Sequence, residues 1–439
     1  MPSHVKRSHP FHKKDHSEYT LLSPTQARTL NLFFLLASVG IFIAMLGIIL
    51  YYVYAFASLS NGSRAFDWLL GIFSDFVAIM DASISGSPYV EAGASYPPFA
   101  IALLFPFAWI CRDVLALYSP MNLTIDELTA KVVRHPEFWV AFVLFFLICT
   151  SAIVFAAIAK CRFDKISSIK LAITIIFSAP FVFAIMRGNT IYFAFIFLLL
   201  FLLLYESESP VWREVAYLCL AVAGMIKIYP LFFGVFLLHK KKWFASVRVG
   251  VYFAVGSLLA FFFYRAGLDN LSPFVEQLGG FMSESDRLLA TRNLSISSIL
   301  YKIFFLFSTP GALFRYVNLF VLIAVFLLAT VTASYTRSHF SRYVIAAGIV
   351  ILVPSISYFY VLIFAFLPFM EFIRTYDSLK KFKQVLYTVL FAIIFFTPLI
   401  MPQQFIIQSA AVIVMFTIEC KDILSKELFA SSSSAKNPS

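Results

Sequence analysis

The chain has 439 residues, of which 61% are hydrophobic and 13% are charged, and its mean hydropathy is +0.87. Soluble domains carry about twice that share of charge, so the composition excludes an ordinary water-soluble protein and indicates an integral membrane protein. The net charge of a membrane protein mainly reports its orientation, because lysine and arginine collect in cytoplasmic loops. We therefore do not interpret the net charge of +11 as a sign of nucleic-acid binding, and we expect no nucleic-acid partner.

The five cysteines show no CxxC or framework spacing, which supports neither a disulfide scaffold nor a zinc site. Four of the seven histidines lie in the polar N-terminal tail, for which a disordered basic tail is the preferred interpretation over weak metal binding. The sequence also contains no Walker loop, no GxGxxG and no HExxH motif. We therefore expect no bound metal and no cofactor.

The chain begins with a basic tail, residues 1–29, which we predict to be cytoplasmic. The apolar run at residues 31–57 is long enough to cross the membrane and too long for the core of a signal peptide. The next apolar run, Phe99 to Cys111, is too short to cross a hydrocarbon layer about 30 Å thick. We therefore predict that it forms a helix beside the membrane.

The distribution of basic residues supports this choice. Alternating loops then place 23 of the 34 lysines and arginines in the cytoplasm together with both termini, whereas a span at 99–111 would move most of them outside. The sequence thus predicts an all-α polytopic membrane protein of about twelve transmembrane helices, at residues 31–57, 137–159, 168–186, 189–205, 213–227, 229–242, 244–264, 312–335, 342–355, 357–373, 384–400 and 404–420.

This organisation gives one transmembrane domain, residues 30–422, followed by a disordered cytoplasmic tail at 423–439. Its two large outer loops are residues 58–136 and 265–311. In the second loop, apolar side chains recur at helical spacing from Ile296 to Phe307, which predicts an amphipathic helix in the membrane interface.

Some predicted spans are short and meet at polar or proline-containing turns on the outer side. The turns are Lys227-Ile228-Tyr229-Pro230 and Pro354-Ser355-Ile356-Ser357. Paired short segments of this kind indicate helices that stop partway through the membrane and line a cavity inside the protein.

Asp75 starts a predicted helix, Asp75 to Ile84, in the first outer loop. A carboxylate at this place can take the proton of an acceptor hydroxyl in a glycosyl or acyl transfer. An aspartate at a helix start is also favoured by the helix dipole alone, and the residue by itself favours that interpretation. Asp81 lies on another face of the helix, so we expect no carboxylate pair.

Lys227 follows an almost entirely apolar segment. A lysine near the centre of the hydrocarbon layer costs roughly 2.5–3.5 kcal/mol, so its presence calls for an explanation. Its ammonium group can bind a phosphate as a point charge, or its long side chain can extend to the outer interface. The sequence leaves these two interpretations equally open.

Two further polar segments fall on the outer side. In Arg187-Gly188-Asn189, backbone and amide groups can meet a ligand, although a tight turn explains Gly188-Asn189 equally well. Arg292, Asn293 and Ser295 precede the amphipathic helix, and we favour slightly the interpretation that Asn293 or Ser295 is only its N-cap.

Taken in order, these motifs resemble glycosyltransferase family 87 of the GT-C superfamily, which includes mycobacterial mannosyltransferases. The resemblance runs from about Ile41 to Pro402. It is carried by Asp75-Phe76, Gly86, Tyr96-Pro97-Pro98, Arg187-Gly188-Asn189, Lys227-Ile228-Tyr229-Pro230, Lys240-Lys241-Lys242-Trp243, Asn293-x-Ser295 and Ser357-Tyr358.

The chain departs from the family pattern at two of these motifs. Gly188-Asn189-Thr190-Ile191 stands where the family often has Gly-Gln-x-Asn, so the second amide is missing. Ser357-Tyr358-Phe359-Tyr360 stands where the family has Ser-Trp-x-His. A tyrosine can still hydrogen-bond a phosphate or a sugar hydroxyl, but it does not titrate near neutral pH. The way the donor is bound and the choice of acceptor can therefore differ from those of the family.

The resemblance implies a GT-C-like fold and an inverting glycosyltransferase of the plasma membrane, in contact with membrane lipids. The donor would be a polyprenyl-phosphate hexose, such as mannose, and the acceptor a glycolipid or glycan at the outer face. Asp75 would be the catalytic base. The substrate-binding residues would be Tyr96, Arg187, Asn189, Lys227, Arg292, Asn293, Ser295, Tyr358 and Tyr360.

Two alternatives remain open at this level. A transporter or flippase of a lipid-linked sugar would use the same interrupted helices and basic cavity without any reaction. A polymerase or ligase of surface polysaccharide would also have a membrane site for a lipid-linked glycan. A flippase should tolerate Asp75→Asn, whereas a transferase should not.

Overall fold

The computed structural model describes residues 20–57, 72–121, 123–283, 285–290, 293–307, 311–397 and 404–434. Within these ranges all regular secondary structure is helical, apart from two isolated backbone pairings, Thr20 with Phe163 and Asn293 with Tyr358. The all-α fold class predicted from the sequence is therefore confirmed.

The α-helices of the described chain are α1 (Pro24–Ala57), α2 (Ser74–Ile84), α3 (Pro98–Leu103), α4 (Phe105–Ile110), α5 (Arg112–Tyr118), α6 (Ile125–Val132), α7 (Pro136–Cys161), α8 (Lys165–Ile176), α9 (Ala179–Arg187), α10 (Ile191–Leu204), α11 (Pro210–Ile226), α12 (Val235–His239), α13 (Trp243–Phe261), α14 (Leu271–Ser283), α15 (Ser285–Leu289), α16 (Ile296–Phe305), α17 (Ala312–Tyr335), α18 (His339–Leu352), α19 (Phe366–Thr375), α20 (Lys381–Phe396) and α21 (Gln404–Ser434). Short 3₁₀ helices lie at Ser119–Met121, Tyr229–Gly234, Gly267–Asn270, Phe359–Ala365 and Tyr376–Ser378.

Five segments of the described chain are long and apolar enough to cross a membrane. The pair α8 and α9, bent by 56° at its break, makes six if it counts as one span. Each of the twelve predicted segments coincides with a helix or a helix pair, but the predicted number of about twelve spans is not confirmed. The five segments are Pro24–Ile43, Pro136–Cys161, Trp243–Phe261, Leu313–Tyr335 and Phe359–Ser378.

The packing of the helices distinguishes those that face lipid from those inside the bundle. Phe244 on α13 is 86% exposed and Phe320 on α17 is 72% exposed, and both belong to long apolar outer faces. Such faces indicate contact with lipid instead of water. In contrast, α18 is buried from Phe340 to Leu352, as expected of a mostly apolar helix at the centre of a bundle.

The segments predicted to lie outside the bilayer fold as short helices. The run Phe99–Cys111 forms α3 and α4, each of six residues. In α16, Ser297, Ser298 and Tyr301 are buried against the protein. The apolar side chains at the end of α16 are exposed, which suits a helix in the interface. The last helix, α21, continues to Ser434 and thus extends into residues 423–439, which the sequence predicts to be disordered.

Charged residues gather near both ends of α11. Near its start, Lys240 pairs with Glu206 at 3.2 Å and Arg248 pairs with Glu214 at 2.5 Å. At its other end, about 25 Å away for 17 residues of helix, Lys227 approaches Asp75. The polar groups are therefore separated into two layers, as in a membrane protein, while the side that faces the cytoplasm stays a prediction.

Candidate active site

The glycine of the Arg187-Gly188-Asn189 turn brings α2 and α9 together. Gly188 ends α9 in the left-handed conformation (φ +63°), and a Cβ at this position would lie 2.3 Å from Cβ of Phe76. Only glycine fits both requirements without strain. The amide of Phe73 also donates to the carbonyl of Met186 at 2.7 Å, so the start of α2 is fixed against the end of α9.

This close approach places the Asp75 carboxylate between two donors. Arg187 binds it through both arms, with Nε 3.1 Å from Oδ2 and Nη2 2.5 Å from Oδ1. Nδ2 of Asn189 donates to Oδ2 at 2.7 Å, and Asn189 is itself fully buried. Burial raises the pKa of Asp75, but the charge and hydrogen bonds of Arg187, with that of Asn189, outweigh burial and hold this pKa below its ordinary value. The carboxyl is therefore ionised at neutral pH.

Lys227 lies near the Asp75 carboxylate, and together with Arg187 these residues form the charged cluster of the site. It caps the C-terminus of α11 in extended conformation, and Pro230 prevents the helix from continuing. Its ammonium lies 4.4 Å from the ring centre of Tyr96 and 5.9 Å from that of Tyr360, so two aromatic faces hold the cation. The lysine is partly buried against these two rings, and its role in binding a phosphate stays a prediction.

Tyr96 is positioned through the backbone on either side of it. The hydroxyl of Tyr89 donates to the carbonyl of Tyr96 at 3.1 Å, and the hydroxyl of Tyr264 donates to the carbonyl of Pro98 at 2.8 Å. Pro98 lies in the first turn of α3, where the missing amide hydrogen costs nothing. The Tyr96-Pro97-Pro98 turn is therefore held rigidly beside Lys227.

A cavity of about 720 Å³ begins at Lys227 and extends into the bundle. Lys227, Tyr96 and Tyr360 line its polar end, and most of its remaining wall is apolar. The wall is formed by the 3₁₀ helix Tyr229–Gly234 and by α12, α13, α14, α17 and α18. Representative side chains are Leu231, Val235, Leu238, Val249, Phe274, Phe326 and Ile349.

Three other predicted site residues form a separate backbone junction. Asn293 Oδ1 accepts from the amides of Ser295 and Ser357, and its Nδ2 donates to the carbonyl of Ser355. The hydroxyl of Ser295 donates to the same carbonyl and caps α16 by accepting from the amide of Ser298. Asn293 also pairs through its backbone with Tyr358. Ser295 is therefore the N-cap of α16. A role of these residues in substrate binding stays a prediction.

The cavity wall contains residues that the sequence analysis did not select. Tyr229, quoted there only within a motif, lines the cavity beside Lys227, and its position two residues after the lysine was the available signal. Gly250 and Phe326 lie far apart in sequence and only the fold brings them together.

Two other charged residues singled out from the sequence are not placed in this cluster by the described structure. Arg292 lies outside the described residues. Asp81 bonds Ser119, away from the cluster, and burial raises the pKa of Asp81.

Within the described ranges, no three His, Cys, Asp or Glu side chains come together in a way that could hold a metal ion.

A comparison with protein-family models matches residues 95–357, more than half of the chain, to the model described as Glycosyltransferase family 87. Tyr96, Arg187, Asn189 and Lys227 lie within the matched range, whereas Asp75 precedes it. No curated protein and no solved structure matches the chain.

Proposed function

The chain belongs to glycosyltransferase family 87 and is a membrane glycosyltransferase, and on that premise we propose the reaction that it catalyses. It moves a hexose from a polyprenyl-phosphate sugar to a glycolipid or glycan acceptor, with inversion, at the outer face of the plasma membrane. In this proposal both termini are cytoplasmic and no metal or other cofactor takes part.

The observation that carries the donor assignment is the cavity. A largely apolar cavity that contains a lysine held between two tyrosines suits a ligand with a lipid chain and an anionic head. Soluble nucleotide sugars offer nothing for most of this wall to bind. A polyprenyl phosphate supplies both parts, with its chain along α12, α13 and α17 and its phosphate near Lys227.

The charges of the cluster support a phosphodiester. Arg187 and Lys227 contribute two positive charges and Asp75 one negative charge. The resulting single positive charge matches the single negative charge of a lipid–phosphate–sugar diester. As the bond to the sugar breaks, the departing phosphate gains a second negative charge, which the two cations can stabilise more strongly than the first.

The reaction needs one base and no general acid. The acceptor hydroxyl oxygen forms the new bond to the anomeric carbon, and its proton passes to the carboxylate of Asp75. The bond between that carbon and the phosphate oxygen breaks, and its electron pair leaves with the lipid phosphate. Attack from the face opposite the leaving group inverts the configuration. Because Asp75 is bound by Arg187 in this structure, it is ionised before the acceptor arrives.

Filling the cavity tests the donor assignment. Gly250 lines the cavity, and a Cβ at this position would meet no atom within 4 Å, so Gly250→Leu adds apolar bulk at an open point of the cavity wall. Transfer from a polyprenyl-phosphate hexose should fall roughly tenfold or more, because burying an apolar chain of this kind is worth about 0.8 kcal/mol per methylene. Transfer from a donor with a short lipid chain should remain unchanged.

The matched control is Val251→Leu on the neighbouring, outward-facing position of α13, which is 51% exposed and should leave both donors unaffected. The reconstituted enzyme would be assayed with a panel of polyprenyl-phosphate hexoses and the same hexoses on a short isoprenoid phosphate. Equal losses for long and short donors, or no loss at all, would contradict binding of the lipid chain in this cavity.

A further inference from the structure

Tyr229 carries a buried hydroxyl that has no hydrogen-bond partner among the described residues. Buried hydroxyls in folded proteins almost always have a partner, so each exception calls for an explanation. Burial of such a group without a partner costs stability, which the rest of the fold has to offset. One explanation is a ligand that accepts this hydrogen bond, and for that explanation Tyr229 has to lie at a ligand site.

The side chain of Tyr229 lies at the polar end of the cavity. It lines that space together with Lys227, Tyr96 and Tyr360. Its ring contacts Phe364 edge to face, with ring centres 5.8 Å apart and an interplanar angle of 88°. The ring is therefore fixed, and its buried hydroxyl has no hydrogen-bond partner among the described residues.

The backbone fixes Tyr229 in the same place. The residue begins the 3₁₀ helix Tyr229–Gly234 directly after the lysine turn, and Pro230 occupies the next position. The amide of Leu231 donates to the carbonyl of Ile228 at 3.1 Å, which closes the turn. A cation and a neutral hydroxyl donor are thus held two residues apart at the point where the polar end of the cavity meets its apolar wall.

We propose that Tyr229 donates a hydrogen bond to a phosphate oxygen of the lipid donor, at the junction between the anionic head and the isoprenoid chain. This inference rests on the proposed function and extends it to a residue that the family resemblance does not assign. A tyrosine suits the junction because its ring is apolar and its tip is polar. Being neutral, it adds a donor without adding to the positive charge of the cluster.

Binding of the lipid without its sugar tests the assignment. The probes are a polyprenyl phosphate and the polyprenol of the same chain length, each titrated into the purified full-length protein. The wild type should bind the phosphate more tightly than the alcohol. Tyr229→Phe should weaken phosphate binding roughly tenfold or more, as expected for loss of a hydrogen bond to a charged group, and should leave polyprenol binding unchanged.

Two controls separate this role from a structural one. Tyr335→Phe alters a tyrosine that is 66% exposed at the end of α17 and should bind both probes as the wild type does. Tyr229→Phe removes an oxygen that lacks a partner within the described protein, so its thermal unfolding midpoint should equal or exceed that of the wild type. A lower midpoint would reveal a structural hydrogen bond and overturn the inference.

The remaining outcomes distinguish this inference from the proposed function. If the wild type prefers the phosphate and Tyr229→Phe binds it equally well, the inference fails while the proposed function stands. If Tyr229→Phe weakens only the complete phosphate–sugar donor, the hydroxyl contacts the sugar and the phosphate assignment is wrong. If the wild type does not prefer polyprenyl phosphate over polyprenol, the proposed function itself fails.

Discussion

At the scale of single residues, the Asp75 carboxylate carries the proposed chemistry. Arg187 and Asn189 hold it in one orientation, and its side chain is 11% exposed, so a ligand can still reach it. The depressed pKa keeps the carboxylate ionised as pH falls through the mildly acidic range. The ion pair with Arg187 accordingly contributes stability above the ordinary pKa of an aspartate, and that contribution is lost only when pH falls through the lower pKa of the folded protein.

Asp75→Asn should reduce turnover by about 10²–10⁴-fold, because the amide keeps the size and hydrogen-bonding capacity of the carboxylate but cannot take a proton. Binding of the donor should persist, since Lys227 and the cavity are unchanged. The measurement is initial rates with a polyprenyl-phosphate hexose, beside a binding titration on the same preparation. Asp81→Asn is the control, because Asp81 lies on the same helix but bonds Ser119. Near-normal turnover of the Asp75 variant would show that another group takes the proton and would contradict Asp75 as the base.

At the scale of helices, the site depends on how α2 meets α9. Phe73, the residue before α2, adopts a left-handed conformation (φ 64°) that is rare for a large side chain. Its ring packs edge to face against Phe138, Trp139 and Phe142 of α7, with centroid distances from 4.6 to 5.6 Å. This aromatic cluster offsets the strain and fixes the direction in which α2 presents Asp75.

Gly188→Ala should destabilise the protein and reduce activity together. The substitution costs about 1–2 kcal/mol for the left-handed conformation and about 1–3 kcal/mol more for the contact with Phe76. Gly93→Ala is a matched control, because Gly93 has a similar φ of +58° but nothing within 4 Å of the point that a Cβ would occupy. Thermal unfolding midpoints and turnover would be measured for both. Equal effects of the two substitutions would contradict the importance of the close approach.

The sequence predicted much of this arrangement from local signals. Asp75, the Arg187-Gly188-Asn189 turn and Lys227 were each identifiable, because acidic helix starts, left-handed glycine turns and a lysine after an apolar segment are local features. The pairing of Arg187 with Asp75 was not, because 112 residues separate them and only packing decides which side chains meet. The sequence predicted that interrupted helices line a cavity, but not which helices form its wall. Its wall combines α12, α13, α17 and α18, which no local pattern relates.

At the scale of the whole molecule, the two layers of charge define a direction through the bundle. The layer with Asp75, Arg187 and Lys227 holds the candidate site, and the opposite layer holds the Lys240–Glu206 pair and the pair of Lys383 with the buried Glu419. Lipid-facing side chains on α13 and α17 lie between them. The basic residues of the second layer predict that it faces the cytoplasm, so the site would receive a donor whose sugar is already on the outer side.

Cysteine labelling with a membrane-impermeant reagent tests that orientation. Single cysteines would replace Val90 and Leu268, which are 68% and 46% exposed on the layer of the site, and Lys241 and Lys381, which are exposed on the opposite layer. In intact cells, positions 90 and 268 should react, whereas positions 241 and 381 should react only after the membrane is permeabilised. The five native cysteines of the chain are buried and should give a low background. Labelling of position 241 from outside would reverse the topology and place Asp75 in the cytoplasm, where an acceptor of the outer face could not reach it.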